Sequence, residues 1–266
     1  MFICVHRWLL FCLCGETFRS QFIQLEILFT AGLIVLAAYF IRGITGFGSG
    51  LIAVPLLAHF LPLTFVVPMI LVTDVTASLV LGTHTRKHVR WDELRPLLPF
   101  SILGVLAGTT LLVNLPLAPL LITLGLFVLL FGLRNILNLH GTRSVSRWWA
   151  VPAALSGGTI GALFGTGGPP YVIYLNHRLH DKGELRATFS GLFLIEGILR
   201  IAAFLIAGLL LNAELLLAIL AALPLVAFGL FLGNRVHIGL SPAQMQRIIG
   251  TILVVSGTSL LWRAWT

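Results

Sequence analysis

Charge is what this sequence has least of. Only 10% of its 266 residues are charged and nine are acidic, where an ordinary soluble domain carries about 25% charged residues. So little polar surface cannot cover a water-exposed globule, and it also excludes a disordered chain or a charged coiled coil. Cysteine is nearly absent: Cys4, Cys12 and Cys14 are all there is. One residue separates Cys12 from Cys14, which is poor disulfide geometry, and no His or Cys completes a metal-ligand spacing. No disulfide framework, metal site or cofactor is expected. No polar stretch is long enough for a separate soluble domain either. What is present is hydrophobic residue, 58% of the chain, with a mean hydropathy of +1.02. The composition is that of an all-α integral membrane protein.

A spanning helix needs about 20 apolar residues, so the chain has room for roughly eight to ten crossings. Apolar runs fall at Leu25–Ile41, Leu51–Leu63, Phe65–Leu81, Leu97–Val113, Leu117–Leu137, Trp149–Phe164, Pro169–Leu175, Ala187–Leu211, Leu215–Leu232 and Ile248–Trp262. The second and seventh are short and each follows a glycine cluster, so they read as half-helices or re-entrant pieces. The expected architecture is about eight long transmembrane helices plus two short broken ones. Residues 1–24 read as an N-terminal extension, 25–138 as a first transmembrane repeat, 139–148 as a cytoplasmic linker and 149–266 as a second repeat.

The repeat rests on register. A displacement of 125 residues carries Pro99, Gly104 and Gly108 onto Pro224, Gly229 and Gly233, and Ala118, Gly125 and Gly132 onto Ala243, Gly250 and Gly257. A displacement of 117 carries Phe47-Gly48-Ser49-Gly50 onto Phe164-Gly165-Thr166-Gly167. Internal duplication of this kind builds many secondary transporters.

The net charge of +8 has an address: 12 of the 17 Lys and Arg residues lie in His84–Arg95, Arg134–Arg147, His177–Arg186 and Arg235–Arg247. Short basic loops face the cytoplasm. The loop before Pro99 is basic and that before Pro224 is not; after Gly108 and Gly233 the pattern reverses. Matching loops of opposite charge imply repeats of opposite orientation, each with an odd number of crossings. Arg86, Lys87, His88, Arg178, His180 and Arg186 then read mainly as topology determinants, and no nucleic-acid partner is expected.

Two constellations can carry chemistry. The first is the pair of glycine clusters, Gly43-Ile-Thr45-Gly46-Phe47-Gly48-Ser49-Gly50 and Gly161-Ala-Leu-Phe-Gly165-Thr166-Gly167-Gly168-Pro169-Pro170. Glycine this dense breaks a membrane helix and frees backbone N–H groups, which must then be buried in protein or line a polar cavity. Two helix N-termini converging at mid-membrane would cradle an anion, with the Thr45, Ser49 and Thr166 hydroxyls as further donors. Prolines at 169 and 170 suit a helix's first turn. The spaced pairs Gly104-x3-Gly108 and Gly229-x3-Gly233 read instead as packing faces.

The second constellation is intramembrane charge: Asp74 in the third run, Glu196 and Arg200 in the eighth. Each costs roughly 2.5–3.5 kcal/mol at mid-bilayer on insertion scales, so each should face a partner or a cavity. Glu196 and Arg200 can pair at i,i+4. Asp74 has no evident local partner and is the stronger candidate for proton coupling. His59, at the end of a short run, reads as a capping or interfacial group.

The motifs GFGSGLIAVP and GTGGPP, the Arg186-Ala187-Thr188 triplet and the paired P-x4-G-x3-G blocks together resemble the TauE/SafE family of sulfite and organosulfonate exporters, also called the toluene-sulfonate uptake permease group. The resemblance spans about Ile27 to Trp262. It implies a multi-pass bacterial inner-membrane transporter of small sulfur-containing or carboxylate anions, coupled to an ion gradient. It places the family's glycine motifs on Gly46–Gly50 and Gly165–Pro170 and its inner polar positions on Asp74 and Glu196, where an acid departs from the neutral, amide-bearing pattern. The partners implied are a small anion, protons and the lipid bilayer, with a homo-oligomer left open. Two other classes compete. An intramembrane serine hydrolase would use Ser49 and His59, although Phe47 stands where a GxSG nucleophile motif needs glycine. A non-transporting scaffold would need neither the duplicated breaks nor Asp74.

Overall fold

The structure, a computed structural model, describes residues 26–44, 48–81, 89–137, 145–179, 181–235 and 242–265. Apart from one 3-10 turn, Arg147–Trp149, the regular elements there are α-helices: α1 Glu26–Ile44, α2 Ser49–Leu57, α3 Leu63–Leu81, α4 Trp91–Leu94, α5 Leu98–Asn114, α6 Leu117–Ile136, α7 Ala150–Phe164, α8 Gly168–Arg178, α9 Lys182–Ile206, α10 Ala213–Arg235 and α11 Pro242–Trp265. The apolar runs anticipate the order and placement of the long elements. Five described helices are long and apolar enough to cross a membrane: α1, α6, α9, α10 and α11. Residues Leu63–Leu79 and Leu98–Asn114 form shorter apolar helices. The run ending at Phe164 stops as a 15-residue helix because Gly165, at φ 64°, takes the left-handed conformation that terminates it.

Local chemistry sets several boundaries. Asp181 caps α9, its side chain accepting a hydrogen bond from the Glu184 N–H at 2.8 Å, with Glu at the third helical position as in a capping box. Large apolar side chains such as Leu103, Leu130, Leu217 and Phe231 point outward. Lipid rather than water suits that surface. Exposed Trp148, Trp149, Trp262 and Trp265 sit at helix ends, where indole rings settle at a membrane interface.

The short helices fold back on their predecessors. A Cβ at Gly157 of α7 would lie 2.5 Å from the Tyr171 ring of α8, and the Tyr171 hydroxyl lies 3.3 Å from the Ala154 carbonyl. The second glycine cluster is therefore the tip of an α7–α8 hairpin. In the first half, Tyr39 and Arg42 of α1 meet Thr73, Asp74 and Ser78 in the same order, so α1 and α3 run parallel. Ser49 at the start of α2 meets Asp74 late in α3, and α2 ends where α3 begins; α2 thus returns antiparallel to α1. The two tips touch, since a Cβ on Gly50 would collide with the Gly165 carbonyl oxygen.

The spaced glycines do pack helices together. Gly104 and Gly108 of α5 lie against the backbone of Leu155, Thr159 and Gly158 in α7. Gly229 and Gly233 of α10 lie in the same way against Leu36, Phe40 and Gly43 in α1. Along the α6–α11 seam the contacts are crosswise. A Cβ on Gly132 would lie 2.9 Å from the Gly250 carbonyl, and one on Gly257 would lie 2.9 Å from that of Gly125. These two helices are therefore antiparallel. The main core draws on α1 to α3, α5 to α7 and α9 to α11; a smaller one gathers Leu94, Leu97, Ala150, Ala154, Tyr171 and Tyr174.

Candidate functional site

Each hairpin tip lies beside an acid and a guanidinium, arranged differently in the two halves. In the first, Arg42 of α1 is 7% exposed and forms an ion pair with Asp74. Its Nη1 also donates to Ser49 Oγ at 2.9 Å and its Nη2 to Ser78 Oγ at 2.8 Å. Asp74 Oδ1 further accepts from Ser49 Oγ at 2.7 Å and lies 2.5 Å from the Tyr39 hydroxyl. Thr73 Oγ1 stands 2.7 Å from that hydroxyl. A partner for Asp74, not evident from its sequence neighbourhood, is thus supplied by α1. With its ion partner and two hydroxyls close by, this carboxylate is well satisfied.

The second half has the same kinds of group with fewer bonds. Arg200 of α9 donates from Nη1 to the Gly161 carbonyl at 2.9 Å. Its Nε lies 4.0 Å from Glu196 Oε1, the outer limit of an ion pair. Both Glu196 oxygens, Arg200 Nε and Thr166 Oγ1 are buried without a hydrogen-bond partner. Glu196 is 0% and Thr166 3% exposed. Unpaired buried polar groups are costly and rare enough to demand a reason. Here four such atoms gather around one helix break.

The halves exchange the source of the guanidinium. Arg42 reaches from a hairpin helix toward Asp74 and Ser78, which are four residues apart on α3. Glu196 and Arg200 are four residues apart on α9, and Arg200 reaches back to Gly161 on the hairpin helix. A Cβ at Gly161 would lie 2.8 Å from Glu196 Oε1, so its missing side chain makes the space that the Glu196 carboxylate occupies. Tyr171 lies near Glu196, its hydroxyl 3.0 Å from Ser101 Oγ.

Of the residues singled out from sequence, Gly48, Ser49, Gly50 and Asp74 assemble at the first tip and Gly165, Thr166, Gly167, Gly168, Pro169, Pro170, Glu196 and Arg200 at the second. Pro169 and Pro170 occupy the first turn of α8. Thr45, Gly46 and Phe47 lie outside the described residues, as do Arg86, Lys87, His88 and His180. Tyr39, Arg42 and Tyr171 escape a reading by motifs. Arg42 was legible in principle as a cation on the helical face of Tyr39, one residue before the glycine cluster.

His59 behaves as a capping group. Its Nδ1 lies 2.9 Å from the Pro55 carbonyl and its Nε2 2.9 Å from Ser259 Oγ. Ser49 and His59 stand at opposite ends of α2, about 15 Å apart by helix rise. That distance separates nucleophile from base and removes the geometry a serine hydrolase needs.

On the face that carries Arg147 and Arg178, Glu93 of α4 is 3% exposed by its side chain. It accepts hydrogen bonds from Arg178 Nη2 at 2.6 Å and the Tyr174 hydroxyl at 2.8 Å. Burial pushes its carboxyl up, but the Arg178 and Tyr174 bonds outweigh that and hold it below the usual value. Arg90 joins Asp92 and Glu184 on the same side. These contacts tie α4 to the outer end of α8 and the start of α9.

The family model described as Sulfite exporter TauE/SafE matches residues 31–260. A curated relative from Comamonas testosteroni, described as Probable inner membrane transporter protein TsaS, is 30% identical over 200 residues, covering 74% of this chain and 83% of the relative. No solved structure matches the chain significantly.

Proposed function

Because this chain belongs to the sulfite exporter TauE/SafE family, we propose that it is a multi-pass inner-membrane transporter that moves small anions by alternating access. Sulfite, organosulfonates and related sulfur-containing or carboxylate anions are the substrate class, and the anion is held where the two hairpin tips meet. The observation that carries this reading is the set of unsatisfied donors at the second tip. Thr166 Oγ1 and Arg200 Nε are buried without partners beside the start of α8, where the N–H groups of Gly167 and Gly168 have no intrahelical acceptor and Pro169 and Pro170 have no N–H to offer. Donors held ready in a water-poor site bind an anion with little reorganisation.

An inverted repeat fits the packing. A two-fold axis in the membrane plane turns a parallel pair of equivalent helices into an antiparallel one and pairs equivalent residues crosswise. Gly125 with Gly257 and Gly132 with Gly250 follow that rule, as do the matched α5–α7 and α1–α10 crossings. With the basic loops inside, the α7–α8 hairpin enters from the cytoplasm and the α1–α2 hairpin from the opposite face. Rocking the two halves would open the tips to each side in turn.

The test is a substrate panel in proteoliposomes: sulfite, thiosulfate, toluenesulfonate and small carboxylates, with and without a pH gradient. Saturable flux of at least one sulfur-containing anion is expected, with competition among members of the class. Absence of flux for the whole panel in folded protein refutes the reading.

A further inference from the structure

We propose that Glu196 carries a proton that travels with the anion, while Asp74 serves to hold three helices together. The proposal rests on the anion site described above and assigns its coupling ion. The two acids occupy matching places in the two halves, yet their surroundings differ. Asp74 is engaged by Arg42, Ser49 and Tyr39, and binding a proton there would break an ion pair that joins three helices. Glu196 is fully buried, where the Asp74 side chain is 23% exposed, and neither Glu196 oxygen has a hydrogen-bond partner, so a proton can come and go without dismantling the fold.

Charge arithmetic links that proton to the anion. Arg200 and an ionised Glu196 sum to zero and offer an anion no net attraction. Protonation leaves Arg200 uncompensated at the second tip, which then becomes a cationic site. Linkage is reciprocal: an anion that favours the protonated carboxyl raises proton affinity by the same factor. Removing one like charge about 6 Å from a bound anion at an effective dielectric near 20 changes affinity on the order of a hundredfold.

Among the described residues, the other charged or titratable groups on neighbouring elements are accounted for. The Tyr171 hydroxyl of α8 lies close enough to Glu196 to interact with it but is engaged by Ser101 of α5 at 3.0 Å. Asp74 of α3 is held by Arg42, and Glu93 of α4 by Arg178. From α7 the approach is made by Gly161, which has no side chain.

Thiosulfate and toluenesulfonate make clean probes, because neither brings a proton of its own near neutral pH. In proteoliposomes with an entrapped pH dye, an inward gradient of a transported probe should acidify the lumen. Glu196→Gln should lose both the proton movement and the accumulation driven by a pH gradient. Its apparent affinity should become independent of pH, where the wild type weakens by up to about a hundredfold as pH rises. Wild-type flux without proton movement overturns the proposal and leaves the transport reading standing. So does undiminished proton movement in Glu196→Gln. No wild-type flux of either probe, or of the wider panel, overturns both. The wild-type dye measurement can overturn the proposal even if the variant fails to assemble.

Discussion

Asp74→Ala should unfold the first half of the bundle in detergent, lowering stability by about 3–5 kcal/mol, the usual cost of removing one member of a buried ion pair. The loss is large because Arg42 stays behind. Its guanidinium is 7% exposed and would keep only the hydroxyls of Ser49 and Ser78 and a backbone carbonyl as acceptors. Ser49 would lose its acceptor and Tyr39 one of its two, so the defect reaches α1, α2 and α3 together. Replacing both charges, Arg42→Met with Asp74→Leu, should recover much of the loss, because no unpaired charge then remains. Thermal unfolding of the purified single and double variants measures both effects. A single variant as stable as wild type would show that the ion pair does not hold the three helices.

Gly50→Ala should abolish transport through a purely steric effect. The new methyl would collide with the carbonyl oxygen of Gly165, and backbone cannot rotate away as a side chain does. Overpacking of this kind costs about 1–3 kcal/mol, and here the strain falls at the contact between the two tips. Gly48→Ala is the informative contrast. Its Cβ would meet nothing within 4 Å, but the residue holds φ 95°, so an alanine pays only the conformational cost of about 1–2 kcal/mol. Counterflow rates for the two variants, normalised to inserted protein, should therefore differ sharply. Equal rates would mean that the tips need not touch during transport.

The parts legible in sequence are those that one helix decides by itself. The run Phe65–Leu81 becomes α3, Leu63–Leu81, because hydropathy and a terminating loop settle where an apolar helix stands. The break after Phe164 is equally local, since Gly165 must adopt a positive φ. Arg42 was hidden for the opposite reason. It sits at the edge of an apolar run, where a cation ordinarily reads as a loop charge, and only the parallel placement of α1 on α3 brings it to Asp74. The contrast between a satisfied Asp74 and an unsatisfied Glu196 could not be read from two acids in matching runs. It depends on whether the guanidinium arises from the hairpin helix or from the acid's own helix. Four-residue α4 was invisible to a search for long apolar runs, yet Glu93 makes it a tie between α8 and α9.

If an anion sits at the unsatisfied second tip, Thr166→Val should weaken its binding without loosening the fold. Valine matches threonine in shape, and Thr166 Oγ1 bonds to nothing in the protein, so the substitution removes a donor without breaking an internal bond. The measurement is the concentration dependence of labelled thiosulfate or toluenesulfonate counterflow in wild-type and variant proteoliposomes, beside their melting temperatures. A hydrogen bond to a charged group is worth about 1.5–3 kcal/mol, so half-saturation should rise roughly tenfold to a hundredfold while the melting temperature stays where it was. Unchanged half-saturation in a variant that melts like wild type would contradict the site.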